Sequence, residues 1–177
     1  MRFSITKIRD RQRGFSVLEM MIATVILLVG LVAIAQLVPA SILLNYRNRT
    51  DSSALVFAQR ELDQFLDQPL SVTSFTDTLG KTCNLGNPAT PNTIVGSPVA
   101  VINNQALIDF TAAPVANYNF TYQDPADPSG TMYDLRWAVI ITGNGTNVFA
   151  KRFILGVRQQ GGSGYFQPVT LDTMVEK

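Results

Sequence analysis

Arg13-Gly14-Phe15-Ser16-Val17-Leu18-Glu19-Met20, continued by MIATVILLVGLVAIA at 21–35, is the stretch that decides the fold. No residue from 20 to 35 is charged or strongly polar, and after Gln36 the apolar run resumes as LVPASILL to residue 44. As helix, the thirty residues 15–44 span roughly 45 Å, against a bilayer hydrocarbon core of about 30 Å. A backbone in lipid must satisfy its own polar groups, so a single spanning segment has to be helical. Pro39 takes away one backbone donor and predicts a kink or a loosened turn.

Toward the N-terminus the chain is basic. Five of its 14 Lys and Arg residues (Arg2, Lys7, Arg9, Arg11 and Arg13) lie within 1–14, against one acid, Asp10. Such a flank keeps its side of a membrane helix cytoplasmic. A secretory signal peptide would have a shorter apolar stretch and a small-x-small cleavage site, and 39–41 makes a poor one. A plain signal anchor fits the length and the flank but leaves Glu19 unexplained. A charge inside an apolar span costs about 2.5–3.5 kcal/mol on insertion scales, so a carboxylate there is a candidate functional group. The bland alternative is a snorkelling or protonated glutamate without a partner.

Together, the basic leader ending in Gly14, then Phe15, a few apolar residues and Glu19 at the fifth position after the glycine resemble the processing site of type IV prepilins. That resemblance implies cleavage between Gly14 and Phe15 by a prepilin peptidase and N-methylation of Phe15. It also implies other pilin or pseudopilin subunits, membrane lipid and an inner-membrane assembly platform as partners. The precursor would sit in a bacterial inner membrane, leader in the cytoplasm and C-terminal domain outside it, before moving into a pilus or pseudopilus. Cleavage would leave an α-amino group one helical turn from Glu19. In a filament, a neighbour's amine set against this carboxylate would offset two desolvation costs at once and penalise other registers. Glu19 is therefore expected to guide subunit assembly.

Beyond residue 44 the pattern becomes amphipathic. After the polar 45–51 (NYRNRTD), Leu55, Ala58, Leu62 and Phe65 recur at helical spacing, with Gln59, Arg60, Asp63, Gln64 and Asp67 on the other faces. Pro69 predicts an end near 66–68. Residues 76–98 are loop by composition, with short local structure. Strands are expected at 98–102, 106–111 and 118–122, a turn at 124–130, and a hairpin from 133–142 and 148–159. In that hairpin Tyr133, Leu135, Trp137, Val139 and Ile141 share one parity with Phe149, Phe153, Leu155 and Val157, which Lys151 interrupts. A two-residue Asn144-Gly145 turn would face Trp137 with Arg152; an odd loop within 143–147 puts both apolar sets on one face. The expected architecture is α+β, a pilin fold: one long helix laid on an antiparallel sheet of about four strands, the tail adding little or an edge strand. Its parts are a leader (1–14), a membrane or filament-core half-helix (15–44), an amphipathic half-helix (45–68) and a β domain (69–177).

Chemistry is sparse. With no histidine and one cysteine, Cys83, the chain has no His-based triad, no His zinc site and no internal disulfide. Cys83 is a partner-seeking or metal-binding thiol, or an incidental loop residue, the commoner case. Asp124, Asp127 and Asp134 could supply calcium oxygens, but turn carboxylates are more often simply solvated. No cofactor, metal or enzymatic activity is expected. Without the leader, nine Lys and Arg face twelve Asp and Glu, a net charge of −3 that gives no electrostatic reason to bind nucleic acid.

Among pilin-like proteins, the helix and late hairpin look most like PilV-type minor pilins and type II secretion minor pseudopilins. Major pilins commonly carry proline at the position of Gln36 and a C-terminal disulfide, both lacking here; the tip-capping pseudopilin typically lacks Glu19. The resemblance thus implies a minor pilin, with a pseudopilin or a filament-displayed adhesin as alternatives. A membrane-anchored domain that never polymerises is the remaining reading.

Overall fold

The computed structural model describes residues 14–123, 130–160 and 168–176. The basic leader up to Arg13, the calcium candidates Asp124 and Asp127, most of the expected turn at 124–130 and the glycine-rich 161–164 lie outside the described residues. The chain is α+β. Helix α1 (Val17–Asp67) comes first, followed by β1 (Ser74–Thr76), β2 (Thr82–Asn84), β3 (Ile94–Gly96), β4 (Val99–Ile102), β5 (Gln105–Ile108), β6 (Asn119–Gln123), β7 (Met132–Gly143), β8 (Val148–Gln160) and β9 (Val169–Glu176). The backbone stays helical through Pro39, so the proline removes a donor without ending the helix.

The chain divides into two compact units at Asn45 and Tyr46. In the first, every described residue is exposed, including Leu27, Leu28, Leu31 and Ile34. The helix is long and apolar enough to cross a membrane.

The second unit has its own core. Ala54, Phe57, Ala58, Leu62 and Phe65 of α1 pack on Tyr133, Leu135, Trp137 and Val139 of β7 and Phe153, Leu155 and Val157 of β8. Phe65 sets its ring 5.1 Å from Trp137 and 5.5 Å from Phe153, centroid to centroid. Burying a ring in such a cluster stabilises by about 1.5–3 kcal/mol from area alone. The stripe is rotated from the expected one. Phe57 is buried, whereas Leu55, about 90° from the stripe's centre at 100° per residue, is 37% exposed.

The main sheet is five-stranded and antiparallel. Its path is β3-β7-β8-β9, and β6 pairs with β7 beside residues 132–136 while β3 pairs beside 138–140. Odd positions face odd ones in the hairpin, Trp137 opposite Leu155 and Val139 opposite Phe153, as the apolar parity demands. The tip departs from the odd loop expected within 143–147. Gly143 pairs with Val148 while Thr142 pairs with Ala150, so Phe149 is an extra residue beside a four-residue loop. That irregularity turns Phe149 outward (55% exposed), although its parity placed it with the core. Lys151 points inward, 1% exposed, and its Nζ donates to Val72 O at 2.5 Å.

The opposite face of β7 and β8 is also covered. Ala138 and Ile154 pack under Ile108 and Phe110, so the β4–β5 hairpin forms a partial third layer. Gly156 permits this approach: a Cβ there would meet Ile108 Cβ at 2.9 Å and Phe110 Cε2 at 3.0 Å. The tail is a full edge strand, with β9 pairing along 150–157 of β8. Within the expected loop 76–98, β2 and its neighbour Leu85 close the helix–sheet core: Cys83 and Leu85 are fully buried, and Trp137 Nε1 donates to Asn84 O at 2.8 Å.

Candidate functional site

Gly14, Phe15 and Ser16 precede the helix, and all three are exposed, Phe15 by 79%. Ser16 caps α1. Its Oγ accepts from Leu18 N at 3.2 Å, satisfying one amide that the helix start leaves open, and its carbonyl accepts the first intrahelical bond, from Met20 N at 3.1 Å. Glu19 falls three residues after the cap, where a carboxylate is favoured by the helix dipole and by capping-box spacing. It is exposed on an apolar helix, and among the described residues its carboxylate has no hydrogen bond or ion pair. At Gly14 a Cβ would meet nothing within 4 Å. Among the described residues nothing gives Gly14 a steric task, so a requirement for glycine there would come from whatever binds the segment.

Residues 9–35 match the family model of the prokaryotic N-terminal methylation motif. No curated protein and no solved structure matches the chain. The methylation motif covers residues 9–13, Gly14, Phe15, Glu19 and about two thirds of the apolar run, and it supports the resemblance to type IV pilin-like proteins. It does not reach the β domain, nor does it distinguish kinds of pilin. The surroundings of the methylation motif suit a segment that other proteins handle: an exposed peptide bond, a capped helix start, and a carboxylate with no described partner.

A second polar site is buried inside the other unit. Glu61 projects from α1 into the core, 0% exposed, where its Oε2 accepts from Gln64 Nε2 at 3.2 Å and its Oε1 from Cys83 Sγ at 3.5 Å. Asp77, in the turn between β1 and β2, is 5% exposed; its Oδ1 accepts from Leu79 N at 3.0 Å and Lys81 N at 2.5 Å. Burial, then the nearby Asp77 charge, raises the Glu61 carboxyl to about 7. Burial, then Glu61 and Asp77, pushes the Cys83 thiol well up, so this is no activated nucleophile.

Cys83 is therefore a core residue and not a loose loop thiol. Sequence patterning missed Glu61 because a glutamate between Arg60 and Asp63 looks like a solvated helix face; its position, three residues after Ala58 and four before Phe65, was the available signal. The remaining calcium candidate, Asp134, accepts instead from Arg136 Nη2 at 2.8 Å and Arg158 Nη2 at 3.4 Å.

Proposed function

We propose that this chain is a minor pilin: a precursor cut between Gly14 and Phe15 by a prepilin peptidase, methylated on Phe15 and assembled into a type IV filament through its N-terminal helix. The observation that carries the reading is the methylation motif on a helix whose apolar residues have no cover within their own unit. Bilayer lipid satisfies such a surface before assembly and neighbouring helices satisfy it afterwards. Gly30 fits the second setting. In a helix interior it costs about 1 kcal/mol relative to alanine, and no atom within 4 Å crowds the place of its missing Cβ, so a close helix neighbour from another subunit would give it a purpose.

Glu19 is the assembly residue in this proposal. It lies about one turn from the amine that cleavage would create, and its lack of a described partner leaves it available to the amine of a neighbouring subunit. The β domain is the displayed part, and its exposed loops give the subunit its individual role. Missing features typical of major subunits, the proline at the position of Gln36 and a disulfide, support a minor subunit.

Intact mass and N-terminal peptide mapping of the membrane-extracted protein test the reading, with and without an active prepilin peptidase. A new terminus at methylated Phe15 that depends on the peptidase is the expected result. An unprocessed chain beside an active peptidase would overturn it and leave a membrane-anchored β domain.

A further inference from the structure

Glu61, Asp77 and Cys83 each offer one ligand atom, and these atoms lie within 4.8 Å of one another. All three residues are sealed, at 0%, 5% and 0% exposure. Two carboxylates and a thiol without solvent need positive charge or protons to be tolerated. Among the described residues no Lys or Arg makes an ion pair with either carboxylate. Arg60, the helix neighbour of Glu61, has its guanidinium over the Tyr122 ring, 4.7 Å from the centroid. Lys151 is spent on Val72 O.

Asp77 supplies the independent observation. Two backbone amides anchor its Oδ1, while Oδ2 is sealed from solvent and has no hydrogen-bond partner. A sealed carboxylate oxygen without a hydrogen-bond partner, on a residue that offers a ligand atom within 4.8 Å of two others, is what a cation site presents.

We propose that Glu61, Asp77 and Cys83 bind one Zn2+ ion, which staples helix α1 to the β1–β2 segment. Mixed sulfur and oxygen donors suit zinc, whereas calcium and magnesium take oxygen only. In a tetrahedral site with bonds of about 2.0–2.3 Å, a sulfur and an oxygen ligand stand roughly 3.5 Å apart. Glu61 Oε1 and Cys83 Sγ are at 3.5 Å already. The widest separation, within 4.8 Å, closes by about 1 Å on binding. Lys81 O, 3.8 Å from Sγ, stands near a fourth position. On binding, zinc displaces the proton of the Cys83 thiol and any proton held by the two carboxyls, all of which pass to solvent, and the three anionic ligands then exceed the cation's charge by one.

The test uses the full-length, detergent-solubilised chain, reduced and stripped with a chelator, then titrated with Zn2+ and with Co2+ as a spectroscopic probe. One equivalent of zinc is expected, with a thiolate-to-cobalt charge-transfer band and a higher unfolding temperature. Cys83→Ala and Asp77→Asn each weaken binding by roughly 100-fold and remove the thermal shift. Fluorescence of Trp137, the sole tryptophan, confirms that the stripped variants are folded. If a variant unfolds, the wild-type titration decides by itself: a folded chain that binds no stoichiometric zinc and gives no cobalt–thiolate band overturns the site. Zinc binding that survives in Cys83→Ala overturns it too. Neither result bears on processing at Gly14, so this inference and the pilin reading fail separately.

Discussion

The two units of this chain handle apolar residues in opposite ways. Between 14 and 45 every described residue is exposed, leucines and isoleucines included. From Tyr46 onward the same residue types are buried on the two faces of the β7–β8 hairpin, and Trp137, Val139 and Leu155 have no exposed surface. One sequence therefore carries two solvent assumptions. The first unit presupposes lipid or other helices; the second supplies its own interior and can meet water. Stability and assembly should accordingly respond to different mutations, and the largest effects on folding belong to the second unit.

Phe65→Ala is the strongest test of that separation. The ring is 1% exposed and touches Phe75, Trp137 and Phe153, so its loss should cost the β domain about 3–5 kcal/mol. Leu28→Ala, in the exposed first unit, should change the same transition by less than about 0.5 kcal/mol. Denaturant unfolding followed by Trp137 fluorescence reads both. Equal effects from the two substitutions would mean that the units fold as one.

Gly156→Ala comes next, at about 1–3 kcal/mol, because the added methyl would press on the Cβ of Ile108, a rigid neighbour. Pairing it with Ile108→Ala removes only the Cγ1 contact at 3.0 Å and keeps the Cβ at 2.9 Å, so little of the loss should return. A neutral Gly156→Ala would show that the β4–β5 hairpin lifts away easily and is no true third layer.

These tests bear on residues that the sequence made legible to different degrees. The helix, its end near 67, the hairpin parity and the late strands follow from periodicity, since each pattern has one period and one buried face. The rotated stripe did not follow: Leu55 and Phe57 lie on opposite edges of it, and only the bulk of Phe57 and the sheet opposite decide between them. The outward Phe149 depends on a bulge, which alternation along one strand does not record. Glu61 and Asp77 were hidden more deeply. Their meeting requires β1 and β2 to fold back on α1, a long-range contact without local signature. At the N-terminus the reverse holds: Gly14, Phe15 and Glu19 were visible because their chemistry is local, and the fold adds only their exposure.

A smaller effect should come from Lys151, whose burial lowers its ammonium to about 8. Below that pH both folded and unfolded chains carry the proton, and the folded one bears the cost of a buried charge. From about 8 toward the ordinary lysine range near 10.5, the unfolded chain holds more protons, so stability should rise with pH. Cys83 and Tyr118, both raised, act in the opposite direction at alkaline pH. Comparison with Lys151→Met cancels them, because they are common to both proteins. The stability of wild type relative to Lys151→Met should climb between pH 8 and 10; a flat difference would show that Val72 O keeps the amine protonated.

The smallest expected effect on folding is that of Glu19→Ala. Its carboxylate is exposed and has no hydrogen bond or ion pair among the described residues, so the β domain should unfold within about 0.5 kcal/mol of wild type. Insertion should persist or improve, since the substitution removes a charge from an apolar span. The proposed cleavage after Gly14 should continue, because the Gly14–Phe15 peptide bond and the Ser16 cap are intact. Incorporation into filaments should nevertheless fall, for a neighbour's amine would then enter low dielectric without its counter-charge. Immunoblots of sheared filaments against the membrane pool measure that split. A variant found in filaments at the wild-type ratio would break the assembly role of Glu19 while leaving the processing site standing. A variant that fails to insert or to be cut would show that the two units are not independent, because a change at the first helical turn would then govern the maturation of the whole chain.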